Sequence, residues 1–227
     1  MLTGYRAVLF DFGGTLDADG LPWKERVSRL YREEGLVIPP QRFDALFYAA
    51  DDALVGAVPS TLSFQETVFR LLAGINRGLD IRDDALVGRI ATRFLERASR
   101  TLRRNASLLA ALRRRYRLAI VSNFYGNLAT VCAECEVSEF VDVLIDSEDI
   151  GCRKPDPRIF HVAAAALGVE PAETVMVGDS LPRDMAGARA AGMRHVWVAG
   201  PGVPRAQPCC PGDPVIQALA DLGKLLA

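Results

Sequence analysis

Beyond residue 107 the chain alternates, without interruption, between stretches of helical spacing and runs of four or five apolar residues. Leu108 to Tyr116 reads as helix, Leu118-Ala119-Ile120-Val121 as strand, Leu128 to Glu136 as helix and Val141 to Ile145 as strand. Pro157 to Leu167 follows as helix, Thr174 to Val177 as strand, Asp184 to Ala191 as helix and His195 to Val198 as strand. Strands this uniformly apolar have no wet face, and strands joined by helices run parallel, so the sheet must be covered on both sides. The pattern predicts an α/β fold with a doubly wound, Rossmann-like parallel sheet. Ala7-Val8-Leu9-Phe10 supplies one more strand at the start of the chain and delivers Asp11 to a Gly13-Gly14 turn.

Between that strand and the alternating region the rhythm breaks. Trp23, Val27, Leu30 and Tyr31 recur at helical spacing, as do Phe43, Leu46 and Phe47 and then Val68, Phe69 and Leu72, with no strand among them. The expected organisation is a core domain of residues 1–16 and 105–227 and an inserted helical cap domain of residues 17–104. Trp23 and Tyr31 are expected in the interior of the cap. After Val198 come Pro201, Pro204, Pro208, Pro211 and Pro214, a surface loop, and then an apolar helix from Val215 to Leu226.

Composition removes several function classes. Half the residues are apolar and 24% are charged, as in ordinary folded proteins. No apolar run approaches the roughly 20 residues that span a bilayer. Lys+Arg 27 against Asp+Glu 28 leaves no overall field to draw nucleic acid or an anionic membrane surface. Arg113-Arg114-Arg115 reads as a solvated helix end, and Asn105-Ala106-Ser107 as a chance glycosylation sequon. With no charged-then-apolar leader in view, the expected compartment is the cytoplasm. The five cysteines are 132, 135, 152, 209 and 210. Cys132 and Cys135 have metal-pair spacing but lack a second pair, so all are expected to be reduced thiols.

The chemistry gathers where strands end. Asp11 closes the first strand; Ser122 and Asn123 follow Val121; Lys154 lies in Gly151-Cys152-Arg153-Lys154-Pro155-Asp156-Pro157; Asp179 and Ser180 follow Gly178, with Asp184 five residues beyond Asp179. Carboxylate oxygens suit Mg²⁺, and Asp11 with Asp179 would hold it while the ion lets an anionic nucleophile approach an anionic substrate. Lys154 would offset charge on a transferring group, and Ser122 with the amides of Gly13 and Gly14 would bond its oxygens.

These motifs together resemble the haloacid dehalogenase-like hydrolase superfamily over almost the whole chain. The family pattern is D-x-D-x-T after the first strand, Ser or Thr after the next core strand, Lys in a K-P-D-P-like segment, and G-D-S-x-x-x-D. Here those positions are Asp11 and Thr15, Ser122, Lys154, and Asp179 with Asp184. The resemblance implies a Mg²⁺-dependent phosphatase acting on a small phosphorylated metabolite, with a helical cap of the first cap type. It implies that Asp11 and Lys154 are catalytic and that Asp11 forms an aspartyl-phosphate. Gly14, Thr15, Ser122, Asn123 and Lys154 would hold the phosphoryl group, and Asp11, the Gly13 carbonyl, Asp179 and Asp184 the metal. Partners are then the metabolite alone, with neither nucleic acid nor membrane, in a monomer or homodimer.

Gly13 departs from this pattern, because it stands where the family places the aspartate that protonates the leaving oxygen and activates water. Three outcomes stay open: a phosphatase that uses a good leaving group or borrows Asp17 or Asp19 as the acid; a slow or inactive phosphate-binding module; and a dehalogenase, which needs no acid there. His161 and His195 read as structural, Arg183 as a surface helix-start residue near the mouth of the site. Asp51-Asp52 and Ser60-Thr61 are candidate substrate-facing positions.

Overall fold

The computed structural model describes residues 2–201 and 212–226. Five strands correspond to the apolar runs: β1 (Ala7–Phe10), β2 (Arg117–Ser122), β3 (Val143–Asp146), β4 (Thr174–Gly178) and β5 (Arg194–Val198). A sixth, β6 (Val215–Ile216), completes a parallel sheet in the order β3-β2-β1-β4-β5-β6. The chain winds outward from β1 through β2 to β3, then returns to the other side of β1 as β4. The winding therefore reverses between β1 and β4, whose ends are in register with Phe10 opposite Val177. Crevices at such reversals are where open α/β sheets bind ligands.

Alternation along the strands splits the core into two layers. Val8, Phe10, Ile120, Val177 and Val196 face one side, and Ala7, Leu9, Ala119, Val121 and Met176 the other. The second face is covered by α7 (Pro157–Leu167) and α8 (Ala186–Ala190), numbered after α5 (Leu128–Glu134) and α6 (Ser147–Ile150).

Four helices occupy the break between β1 and β2: α1 (Trp23–Glu33), α2 (Pro40–Asp52), α3 (Phe64–Gly78) and α4 (Asp84–Arg113). Asp83 caps α4 by accepting from the Leu86 N–H at 2.9 Å. The stripe Ile90, Phe94, Ala98, Leu102, Leu109 and Leu112 stays buried along the whole of α4, so its first half packs on α1 and α3 and its second half on the sheet. The expected limit at residue 104 falls inside this helix, where the buried Asn105 donates to the Leu16 carbonyl at 2.9 Å. The buried side chains of the helical layer run without a gap into those of the first sheet face.

The expected helix from Val215 to Leu226 is corrected. Pro214 cannot continue a helix, and the open edge of β5 offers backbone partners to the β-branched pair that follows. Ala199 N–H donates to the Ile216 carbonyl at 2.8 Å, and only then does the chain form α9 (Leu222–Leu225). Cys209, Cys210 and the prolines at 204, 208 and 211 lie outside the described residues. Cys132, Cys135 and Cys152 are free thiols, and burial pushes Cys132 up and Cys135 to about 12, so both stay protonated. No described helix is long and apolar enough to cross a membrane.

Candidate active site

Asp11 leaves β1 with its N–H donating to the Val177 carbonyl at 2.9 Å, which fixes the carboxylate beside the end of β4. The chain then turns over Phe12–Leu16, and Gly14 takes a φ of +100°. A Cβ at Gly14 would lie 2.6 Å from an oxygen of Asp179, so this turn can approach the carboxylate only as glycine. Thr15 donates its hydroxyl to Asp179 Oδ1 at 3.0 Å and stands 3.4 Å from Asp11 Oδ2. Ser122 Oγ, at the end of β2, is 3.4 Å from Asp11 Oδ1.

Lys154 is the hub. Its Nζ lies 2.6 Å from Asp11 Oδ1, 2.6 Å from Asp184 Oδ1 and 2.8 Å from the Val121 carbonyl. Asn123 fixes the lysine's main chain in both directions: its side-chain NH₂ donates to the Lys154 carbonyl at 3.0 Å and its oxygen accepts from the Lys154 N–H at 2.7 Å. Burial works against the ammonium charge, but Asp11 and Asp184 outweigh it and hold the lysine above its usual range. Asp184 also accepts from the Ser180 N–H at 2.9 Å.

Oxygens of Asp11, Asp179 and Asp184 lie within 4.8 Å of one another, and all three side chains are buried. Burial, then the charges of Asp11 and Asp184, push the Asp179 carboxyl well above the usual carboxylate range. Asp184 is likewise raised by burial, with Lys154 opposing. Three buried acids against one ammonium leave an excess of negative charge that a hard divalent cation with oxygen ligands would neutralise. The donor set therefore fits Mg²⁺ on Asp11, Asp179 and Asp184, with Gly13 beside them on the same cavity wall.

A cavity of about 630 Å³ opens above these groups, between the sheet edge and the helical layer. Trp23, expected in the interior of the cap, lines it together with Phe47, Tyr48, Phe124 and Tyr125. A Cβ at Gly13 would stand 3.1 Å from the indole Nε1, so the ring crowds any side chain at position 13 and would have to give by a few tenths of an ångström. The indole is held in place: Nε1 donates to Asp17 Oδ2 at 2.8 Å, and the ring meets Phe94 edge-on at 5.1 Å between centroids.

Neither candidate replacement acid reaches the cavity. Asp17 is buried, paired with Arg26, and accepts from the Gly14 N–H at 2.7 Å as well as from Trp23. That bond also commits one of the amides expected to meet a phosphoryl oxygen. Asp19 pairs with Arg104 and accepts from the Leu219 N–H at 3.1 Å. Arg26 had a signal in the sequence, since a cation on the apolar stripe Trp23, Val27, Leu30 implies a buried partner. Asp51 lines the cavity and bonds the Tyr125 hydroxyl, whereas Asp52, Ser60 and Thr61 do not line it. His161 is exposed, and His195 pairs with Asp213 at 2.7 Å, away from the site. Tyr31 bonds Asn76 at 2.6 Å within the helical layer.

A family model described as haloacid dehalogenase-like hydrolase matches residues 5–192. Over 96 residues the chain is 45% identical to the haloacid dehalogenase-like hydrolase domain-containing protein 3 of Bos taurus, a match that covers 42% of this chain and 38% of that protein. Over 204 residues it is 32% identical to the phosphoserine phosphatase of Thermus thermophilus, covering 85% and 81%. Among solved structures, a dehalogenase captured in an intermediate complex has a TM-score of 0.70 at 22% identity, over 100% of this chain and 99% of that one, a likeness of fold. The HAD phosphatase of Thermococcus onnurineus has a TM-score of 0.60 at 26% identity, over 97% of each chain.

Proposed function

The chain belongs to the haloacid dehalogenase-like hydrolases, and from that premise we propose that it hydrolyses phosphate monoesters of small metabolites through a phosphoryl group carried on Asp11. The observation that carries this reading is the meeting of Asp11, Lys154, Asp179 and Asp184 at the reversal of the sheet, under a cavity sized for a small molecule. Relatives named phosphoserine phosphatase and phosphoglycolate phosphatase support the same reading.

In the first half-reaction an oxygen of Asp11 attacks phosphorus, and the ester P–O bond breaks with its electron pair leaving on the alcohol oxygen, which takes up a proton. In the second, water attacks phosphorus, the bond to Asp11 breaks, and inorganic phosphate leaves as the carboxylate is regenerated. Lys154 and Ser122 neutralise and orient the phosphoryl oxygens, and Thr15 steadies Asp11 and Asp179. Mg²⁺ bound by Asp11, Asp179 and Asp184 would supply the charge that lets the anionic nucleophile approach. The helical layer of residues 17–104 acts as a cap that excludes water and selects the substrate.

Gly13 and Trp23 shape what this site does well. A positioned acid contributes about 10²–10⁴-fold, and none stands at position 13. Esters whose leaving oxygen departs without a proton, such as acyl or anomeric sugar phosphates, should react faster than alkyl phosphates. The same feature favours a second reading, a module that binds phosphate and turns over slowly. Phosphate release from acyl, anomeric and alkyl phosphates, with Mg²⁺ and with a chelator, separates the two. Metal-dependent release that falls from acyl to alkyl esters supports the enzyme, and no release from any of them leaves the binding module.

A further inference from the structure

Half of the described cations on this molecule are matched to carboxylates, and at the cavity Lys154 is held by Asp11 and Asp184. Arg89 and Arg93 pair with Glu34, Arg97 with Glu33 and Arg104 with Asp19, and Lys24 at the cavity wall lies 2.8 Å from Asp44. Two arginines that line the cavity differ. Arg153 immediately precedes Lys154 on its loop, and Arg183 sits in the turn Leu181–Met185 after β4. Among the described residues neither guanidinium has a carboxylate within ion-pair distance; Arg183 Nε meets only the Ser180 hydroxyl, at 3.3 Å.

Both line the cavity that Asp51 and Tyr125 also line. Burial pushes the Asp51 carboxyl up, and the Tyr125 hydroxyl, Arg153 and Arg183 together pull it back. Both guanidiniums belong to exposed residues at the rim of the cavity. Asp11, Asp179 and Asp184 share this cavity with Asp51, Tyr125 and the two arginines. At the floor, Lys154 and a divalent cation already answer the charge of a phosphoryl group, so these guanidiniums are surplus to it. Guanidinium forks match the paired oxygens of carboxylates and phosphates.

We infer that Arg153 and Arg183 form a second anion subsite, which takes a carboxylate or second phosphate carried on the same substrate as the phosphoryl group. The phosphatase reading supplies only the identity of the first group.

The test is calorimetric titration of the Mg²⁺-loaded protein, at constant free Mg²⁺, with ethylphosphonate, phosphonoacetate and methylenediphosphonate, on the wild type and on Arg153→Gln, Arg183→Gln and the double variant. The wild type should bind one of the doubly anionic probes about 10-fold or more tighter than ethylphosphonate, since a charge-assisted pair is worth that much. Which probe gains identifies the second group. The double variant should lose the preference while its ethylphosphonate affinity stays within about 2-fold. Equal affinity for all three probes in the wild type, or equal weakening of all three in the variants, overturns the subsite. A preference for phosphonoacetate or methylenediphosphonate over ethylphosphonate that the double variant abolishes, in a protein that releases no phosphate from any ester, keeps the subsite and removes the phosphatase reading.

Discussion

Position 13 shows how a single missing side chain is answered by its neighbour. Glycine there leaves room for the Trp23 indole, and a side chain there would press on the ring at its Cβ. Gly13→Asp alone should therefore fail to raise kcat on an alkyl phosphate and should lower Tm, because the ring must give way and its bond to Asp17 with it. Combined with Trp23→Phe, which removes the indole nitrogen nearest that Cβ, the aspartate should recover part of the roughly 10²–10⁴-fold of a positioned acid. Steady-state rates of the wild type and the two variants decide it, and a gain from Gly13→Asp by itself would contradict the steric explanation. Asp11, Ser122 and Asp179 were legible as a site in the sequence because each stands at a strand end, and strand ends converge in a parallel sheet, whereas Thr15, Lys154 and Asp184, further along the chain, were legible only through the resemblance to the family pattern. Trp23 and Asp17 were not, since their positions depend on the angle at which α1 crosses the first turn.

Among elements, the joint between β1 and α1 holds a buried ion pair. Asp17 and Arg26 form a buried pair that also accepts from Gly14 and Trp23 and donates to the Phe94 carbonyl at 3.2 Å. Breaking a buried pair by removing one partner costs about 3–5 kcal/mol, chiefly because the other charge is stranded. Denaturant unfolding of Arg26→Met should show a loss of that size, and adding Asp17→Asn should return part of it. If the double variant is as unstable as the two single losses combined, the pair is not the source. At this scale the alternation of strands and helices was readable, but two boundaries were not. The apolar stripe on α4 continues from helical layer to sheet without changing period, so nothing marks residue 104. Val215 and Ile216 form β6 only because the edge of β5 is there to receive them.

Across the whole molecule, the acid cluster ties stability to pH and metal. With the Asp179 pKa raised, the native state keeps a proton that the unfolded chain has released. The metal-free protein therefore loses stability as pH rises above the ordinary carboxylate value of about 4, and Asp184 acts in the same sense. A cation bound there would replace that proton, so Mg²⁺ should raise Tm more at about pH 8 than at about pH 5, where protons compete for the same oxygens. Calorimetric scans with Mg²⁺ and with chelator check this, and an equal increment at both pH values would mean that the cluster does not hold the ion.

Phosphate passing through Asp11 would leave a trappable mark on that residue. Protein quenched during turnover of an acyl phosphate, reduced with borohydride and digested should yield a peptide in which residue 11 has become homoserine, the product of a reduced aspartyl-phosphate. Asp11→Asn should give neither the modified peptide nor phosphate release. Turnover with residue 11 unmodified, and undiminished in Asp11→Asn, would contradict the account.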